Sequence, residues 1–220
     1  MSKKGQTDAS KSLAARAYDE LEERIVTLQL SPGAVVSEQQ LASELGVGRS
    51  PVREALQRLA FEGLIVVLPR RGILISEINV GKHNQLLELR REVERLMVRA
   101  ACRNASEAQC KEYLELSKKF KQLARQNEVQ EFMRVDARFN ELLSYSVDNE
   151  FVFRAMQLVR GLSRRFWFMY YKLADVKECA RLHGTLAQEI SRRNPDKAVV
   201  EFEMLMDYMF EFTASTLVSH

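Results

Sequence analysis

The 220-residue sequence lacks long hydrophobic runs and an export signal. No apolar stretch approaches the roughly 20 residues that a membrane-spanning helix requires. The basic start of the chain is followed by neither an apolar stretch nor a small-residue cleavage site, so nothing in it directs secretion. We therefore expect a cytoplasmic protein without a membrane role.

Cysteine is scarce, and its spacing does not indicate a metal site. The three residues Cys102, Cys110 and Cys179 are odd in number and show no paired ligand spacing. This pattern favours reduced thiols in a hydrophobic core over disulfides or a zinc cluster.

The sequence also lacks a large excess of charge of one sign. Its 33 basic and 30 acidic residues leave a formal net charge of +3, and the ten basic and ten acidic residues up to Val80 cancel. Bulk charge therefore neither indicates nor excludes a nucleic-acid partner, and only the local arrangement of charges can decide.

Glycine, proline and aromatic residues divide the chain into two parts. Seven of nine glycines and three of four prolines lie at or before Gly81, whereas 16 of 18 aromatic residues follow it. We predict a flexible N-terminus over 1–12, a compact, turn-rich domain over 13–76, a linker over 77–81 and a helical domain over 82–220.

Three helices are predicted in the first domain. An apolar stripe that begins at Leu13 marks the first, which Ser31-Pro32-Gly33 ends. A capping box at Ser37 begins the second, and it ends before Gly46. Ser50-Pro51, read as an N-cap residue followed by proline at the first helical position, begins the third. The second and third helices have the spacing of a helix-turn-helix.

A hairpin and six longer helices follow. Two β-prone runs at 65–68 and 73–75 predict the hairpin. Amphipathic segments predict helices at about 82–103, 106–126, 128–146, 150–173, 176–193 and 196–217. Short links between them imply an antiparallel six-helix bundle. The predicted fold class is mainly α, with an N-terminal winged helix-turn-helix and a C-terminal bundle.

The third helix has one face for a core and one face free to bind. Its apolar residues form a single stripe, whereas Arg49, Ser50 and Arg53 fall on the opposite side near its start. Arginine can donate two hydrogen bonds to guanine, and the start of a recognition helix is the part that reaches base edges. We predict that Arg49 and Arg53 read bases and that Ser50 contacts a phosphate.

The hairpin tip offers a second contact with DNA. Arg70 and Arg71 precede Gly72, which has no side chain to keep backbone away from DNA, so this wing could enter a minor groove. Taken singly, each arginine is more often a solvated surface charge or half of an ion pair than a DNA contact, and we expect one of these two roles for Arg58. Taken together in this order and spacing, Arg49, Arg53 and Arg71 favour DNA binding.

The first domain resembles the winged helix-turn-helix of the GntR family of bacterial transcription regulators. The resemblance covers about residues 13–76 and rests on PGAVVSEQQLASELGVGRSPVREALQRLAFEGLI followed by PRRGILIS. It implies DNA contacts at Arg49, Ser50, Arg53, Arg71 and Gly72. In two places the sequence departs from the family: Gly48 stands where many members have serine, and Gln39 where some have a DNA-contacting arginine.

The second part is similar to the FCD ligand-binding domain of the FadR subfamily, in its shorter, VanR-like form. The matching segments are LRREVERL, VDARFNELL followed by DNEF, and RLHGTLAQEI before NPDKA. The resemblance implies a divalent metal, held by an aspartate and three histidines, that binds a small carboxylate effector.

Only part of that metal-binding set is present. Asp136 and His183 match, Asn140 replaces one histidine, and the fourth position falls on Asp207 if the preceding link carries a two-residue insertion, or on Leu205 if it does not. One imidazole with carboxylates and an amide favours a harder metal or none.

An effector pocket without metal is the equal alternative. Arg90 matches the family's first-helix arginine, which could hold an effector carboxylate, although an ion pair with Glu94 one turn later explains it equally well. The residues expected in the pocket are Arg90, Asp136, Asn140, His183 and Asp207.

These features predict a homodimeric, effector-controlled transcription regulator that binds a short palindromic DNA operator and is not an enzyme. One recognition helix and wing cover few base pairs, so specificity requires two copies. One alternative is a helical metalloenzyme that uses Asp136, His183 and Asp207 and is recruited by the winged helix. Another is a winged helix that serves only protein interaction or dimerisation.

Overall fold

The structure is a computed structural model that describes residues 11–126 and 128–218. The predicted flexible N-terminus lies outside the described residues, apart from its last two positions. The chain forms two compact units. Within the described residues, the winged unit consists of 11–79 together with Gln157–Met169, and the helical unit consists of Val80–Met156 and 170–218. Among the described residues, no helix is long and apolar enough to cross a membrane.

The winged unit contains the three predicted helices and the predicted hairpin. Its elements are α1 (Leu13–Val26), β1 (Val35–Val36), α2 (Glu38–Leu45), α3 (Arg49–Phe61), β2 (Ile65–Leu68) and β3 (Gly72–Ile75). The strands form an antiparallel sheet in the order β1-β3-β2. The two-residue strand β1 was not predicted, because it is too short to show a pattern of alternation.

Two helix ends differ from the prediction. α1 ends at Val26, and Leu28 already has a φ of 63°, so the helix stops before Ser31-Pro32-Gly33. The N-cap of α3 is Gly48 rather than Ser50, with no side-chain capping bond. Pro51 therefore occupies the third helical position, where its missing N–H still costs no intrahelical bond.

The core of the winged unit lies between α1, α3 and the sheet. The predicted stripe of α3 is fully buried and comprises Val52, Ala55, Leu56 and Leu59. The stripe of α1 is buried from Ala17 onward, whereas Leu13 is 50% exposed. Leu162 of a later helix packs against this core.

All six helices predicted after the linker are present. They are α4 (Val80–Asn104), α5 (Glu107–Leu123), α6 (Val129–Tyr145), α7 (Glu150–Tyr170), α8 (Val176–Ser191) and α9 (Pro195–Val218). In the helical unit α4 packs on α9, α5 on α8 and α6, and α8 on α9. The mainly α fold class is confirmed, but residues 157–169 of α7 belong to the winged unit rather than to the bundle.

The three cysteines lie in the helical unit. Cys102, Cys110 and Cys179 are all buried and carry free thiols. Their predicted placement in a core is confirmed.

Candidate functional site

The start of α3 presents an open surface. Arg49 is the first residue of the helix, and both Arg49 and Ser50 are exposed, on the side opposite to the buried stripe. Because no side chain caps α3, the N–H groups of its first turn remain available to a phosphate oxygen. This end of the helix can therefore combine a positive side chain, a hydroxyl group and backbone donors.

Arg53 is exposed but already oriented. Its side chain is 62% exposed, and its Nη2 and Nε atoms lie 2.8 and 3.2 Å from the two carboxylate oxygens of Glu38, the first residue of α2. The hydrogen bond and the charge of Glu38 raise the pKa of Arg53. Glu38 thus holds the guanidinium in one direction before any ligand arrives.

Glu38 is a residue that sequence reasoning missed. It is the first residue of α2 and lies fifteen positions before Arg53. Spacing within a single helix carries no information about a pair that two helices bring together, so no sequence signal was available.

The wing tip carries two exposed arginines. Arg70 adopts a left-handed conformation with a φ of 62°, and the N–H of Arg71 donates to the carbonyl of Leu68. Gly72 has a φ of 111°, and a Cβ built there would lie 2.7 Å from the carbonyl oxygen of Val36. Glycine is therefore required at this position by the contact with β1, whether or not DNA approaches it.

The arginines of the winged unit differ in whether their side chains have hydrogen-bond or ion-pair partners. Within the described part of the chain, the side chains of Arg49, Arg70 and Arg71 have no hydrogen-bond or ion-pair partner. Arg58, by contrast, lies 3.4 Å from Glu62 and stacks 3.7 Å from the ring centre of Tyr18. Arg58 thus forms an ion pair, one of the two roles expected of it, and Arg49, Arg70 and Arg71 remain available for a polyanion.

A polar cluster lies inside the helical unit. Nε2 of His183 on α8 is 3.0 Å from Oδ1 of Asp136 on α6, and Nδ1 of His183 is 2.8 Å from the carbonyl oxygen of Cys179. Asn140 donates from Nδ2 to the carboxylate of Asp136 at 3.1 Å. Both nitrogens of the His183 ring thus face oxygen acceptors, an arrangement that satisfies an imidazolium.

The surroundings of His183 explain its ionisation. Burial alone would lower the pKa of His183, but its contacts with Cys179 and with the Asp136 carboxylate raise that pKa well above the usual value. The rings of Phe120, Phe132 and Phe139 lie with their centroids 5.1, 5.7 and 5.8 Å from that of the imidazole. The imidazole therefore lies among three aromatic rings, whereas the Asp136 side chain remains 29% exposed.

Arg90 on α4 belongs to the same cluster. It lies 2.6 Å from Glu94, and the two side chains are 16% and 8% exposed. Burial opposes its charge, while Glu94 and then Asp136 raise the pKa of Arg90. The expected i, i+4 ion pair with Glu94 is thus present, and Arg90 also acts electrostatically on Asp136.

His83 is a second buried histidine near this cluster. Burial, followed by the charge of Arg90, lowers the pKa of His83 to about 3. It precedes Arg90 by seven residues, two helical turns, and therefore lies on the same face of α4. That spacing was a usable signal that sequence reasoning missed.

Asp207 does not join the other predicted ligands. Its side chain is 67% exposed and bonded to Arg91 on α4, whereas Leu205, the alternative position, is buried. In the described residues, no group of three or more His, Cys, Asp or Glu side chains could hold a metal ion. Together with the occupied ring nitrogens of His183 and the donor group that Asn140 presents, this means that Asp136, Asn140, His183 and Asp207 do not fit a divalent metal. The metalloenzyme alternative required Asp136, His183 and Asp207 to meet, and they do not.

Comparison with known proteins identifies relatives of both parts. A sequence model of the bacterial regulatory proteins of the gntR family matches residues 13–75, and one of the FCD domain matches residues 85–207, more than half of the chain. The HTH-type transcriptional repressor RspR of Escherichia coli (strain K12) is 23% identical over 192 residues, 87% of this chain and 84% of that protein. An HTH-type transcriptional regulator in an unstable DNA locus of Streptomyces ambofaciens is 43% identical over 77 residues, 35% of this chain and 33% of that protein.

A solved structure has a similar fold. The structure of E. coli McbR/YncC superposes with a TM-score of 0.79 at 19% sequence identity, covering 94% of this chain and 99% of that one. At this identity the likeness concerns the fold alone.

Proposed function

The chain belongs to the GntR family of bacterial regulatory proteins and carries an FCD domain, and from this premise we propose how it acts as a transcriptional regulator. It binds a short palindromic DNA operator as a homodimer in the cytoplasm, and a small organic acid held in the helical unit controls that binding. The unoccupied arginines at the start of α3 and at the wing tip carry this proposal.

DNA is read by two elements of the winged unit. Arg49 and Arg53 on α3 contact guanine edges in the major groove, where arginine can donate two hydrogen bonds to one base. Ser50 and the open N–H groups of the first turn hold a phosphate and set the register. At the wing, Arg70 and Arg71 enter the adjacent minor groove, with the backbone at Gly72 close to the DNA.

A dimer follows from the small size of this reading surface. One recognition helix and one wing span only a few base pairs, so a single copy cannot select one site in a genome. Two copies related by a two-fold axis read a palindrome with half-sites about one helical turn apart.

The effector binds at the cluster formed by Arg90, Asp136, Asn140 and His183. Arg90 donates to its carboxylate, His183 supports the site through its pair with Asp136, and the phenylalanine rings beside the imidazole contact its apolar part. Asp207 takes no part from its exposed position, and no metal is required. Effector binding changes operator affinity by a coupling free energy that is typically about 1–3 kcal/mol.

A DNA-binding experiment tests the first half of the proposal. A labelled duplex, selected by the protein from a random pool, is titrated with wild type and with Arg49→Ala. The substitution should weaken binding about tenfold to a hundredfold, because it removes a bidentate base contact. Arg134→Ala, which removes a 76% exposed arginine of the helical unit, is the matched control and should leave affinity unchanged. Equal behaviour of the two variants would contradict the proposal.

A ligand screen tests the second half. Small carboxylic acids are screened for those that raise the melting temperature of wild type, and each such acid is added at saturation to the DNA titration. A change in operator affinity supports effector control, and Arg90→Lys should weaken binding of the acid by removing the bidentate fork. Unchanged operator affinity with every bound acid would refute this part.

A further inference from the structure

Helix α7 runs from one unit into the other. Residues 157–169, which we call the docked segment, lie in the winged unit, whereas the residues of α7 before and after them lie in the helical unit. All four buried residues of α7, namely Val159, Gly161, Arg165 and Phe166, fall within the docked segment. The helix is therefore fastened along this stretch.

Apolar contacts form the first attachment. Leu162 packs against the core of the winged unit, and a Cβ at Gly161 would lie 2.9 Å from Cδ1 of Leu64, which is fully buried at the start of the hairpin. A glycine inside a helix costs about 1 kcal/mol relative to alanine. Close packing against Leu64 explains why Gly161 is present despite this cost, since any larger residue would require the leucine to shift.

Opposite charges form the second attachment. Arg164 lies 2.9 Å from Glu23 and 3.5 Å from Glu22, both on α1. Burial raises the pKa of Glu22, and the charges of Arg164 and Arg160 oppose that rise. Without the docked segment, the acidic face of α1 would lose its counter-charges.

A buried arginine forms the third attachment. Arg165 is 1% exposed and donates from Nη2 to the carbonyl oxygen of Ser76, the residue that follows β3. Burial lowers the pKa of Arg165, and the charge of Glu77 acts against this effect. Burying a guanidinium is costly without partners, so this bond ties the docked segment specifically to the base of the wing.

We propose that the docked segment couples the helical unit to DNA reading, by restraining α1 and the base of the wing through a helix that belongs to both units. The inference rests on the proposed binding of a palindrome by a dimer. Docking gives each winged unit a second connection to the helical unit of its own chain, in addition to the chain between β3 and α4. When the segment is released, each winged unit is joined to its helical unit only through the chain between β3 and α4, and the effective concentration of the second winged unit at its half-site falls.

Two substitutions in α7 should release the docked segment. Arg164→Glu places a third acid beside Glu22 and Glu23, and Gly161→Leu forces a side chain into the space of Leu64. The matched control is Arg154→Glu, a charge reversal on the same helix at a 70% exposed residue that pairs only with Glu150, four positions away. The full-length protein is used throughout.

Hydrogen exchange and DNA titration are the two readouts. Both releasing variants should increase amide exchange in 157–169 and in 76–79, whereas Arg154→Glu should not. Affinity for the full palindrome should fall about tenfold or more, because the gain from linking two sites is lost. Affinity for an isolated half-site should stay within about twofold of wild type, because the reading surface itself is intact.

Several results would overturn the inference. An equal loss of affinity for the half-site and for the palindrome would show that the docked segment only stabilises the winged unit and does not couple it to the helical unit. Unchanged exchange in both releasing variants, or unchanged palindrome affinity despite raised exchange, would also exclude coupling. Failure of the wild type to bind any duplex would refute the proposed function and this inference with it, whereas failure of the inference alone leaves wild-type binding intact.

Discussion

At the scale of single residues, the two base-reading candidates on α3 differ in how they are prepared. Arg49 has no side-chain partner among the described residues, whereas Arg53 is held by both carboxylate oxygens of Glu38. A side chain that is already oriented loses less conformational freedom when it binds. We therefore expect Glu38 to contribute to DNA binding through Arg53.

A double-mutant cycle tests this role of Glu38. Glu38→Gln should weaken binding to the selected duplex by about threefold. Arg53→Ala should have a larger effect, since the loss of a bidentate base contact typically costs about 1–3 kcal/mol of binding free energy. In an Arg53→Ala background, Glu38→Gln should have no further effect, because the side chain it orients is gone. Fluorescence anisotropy measures all four affinities, and an equal effect in both backgrounds would mean that Glu38 acts on DNA independently.

The two left-handed glycines beside the hairpin allow a matched stability test. Gly63 has a φ of 76° with open space around a Cβ, so Gly63→Ala should cost only the backbone strain, about 1 kcal/mol. Gly72→Ala should cost clearly more, since the new Cβ meets the Val36 carbonyl oxygen at 2.7 Å. Urea unfolding of both variants measures the difference. Equal decreases in the free energy of unfolding would show that β1 can move away from the new Cβ without a loss of stability.

At the scale of elements, the polar cluster joins α4, α6 and α8 through buried and half-buried charges. His183 binds Asp136 across α8 and α6, and Arg90 on α4 acts electrostatically on the same carboxylate. Buried charges are tolerated only when they are paired, so the relative positions of these helices depend on the protonation of His183.

This dependence predicts how stability changes with pH. The pKa of His183 is raised in the folded protein, so its contribution is complete below the unfolded value of about 6.5 and is lost as pH rises through the folded pKa. The variant Asp136→Asn lacks the carboxylate and should lose this contribution. The difference in unfolding free energy between wild type and Asp136→Asn should therefore be largest near pH 6 and shrink as pH rises through the folded pKa of His183.

His83 does not disturb this comparison. Its lowered pKa of about 3 acts in the opposite sense, since it reduces stability as pH falls below about 6.5, but both proteins contain it. Urea unfolding at several pH values measures the difference. A difference that grows with pH would contradict a raised pKa for His183.

At the scale of the whole molecule, dimeric binding predicts a specific salt dependence. Each cationic contact with DNA lowers the slope of log affinity against log salt by about 0.9. Arg71→Ala should therefore reduce the magnitude of the slope on a palindrome by about two, one for each wing of a dimer. Titrations between low and moderate salt measure it, and a reduction of about one would indicate a single wing on the duplex.

The local features of this protein could be read from its sequence. The buried stripe of α3 and the exposure of Arg49 and Arg53 follow from helical periodicity, and the hairpin follows from alternating β-prone residues around a turn. The helices after the linker were also predicted from periodicity. Such patterns can be recognised because they involve only residues that are close together in the sequence.

The tertiary structure decided which distant surfaces meet. It paired Arg53 with Glu38, turned Asp207 outward to Arg91 and placed residues 157–169 of α7 against the winged unit. An apolar stripe shows that one face of a helix is buried but not which element buries it. The direction of a charged side chain depends on helices that are distant in the sequence. The sequence alone therefore determined the elements and the exposed arginines that we propose read DNA, while packing decided the composition of the polar cluster and the position of α7.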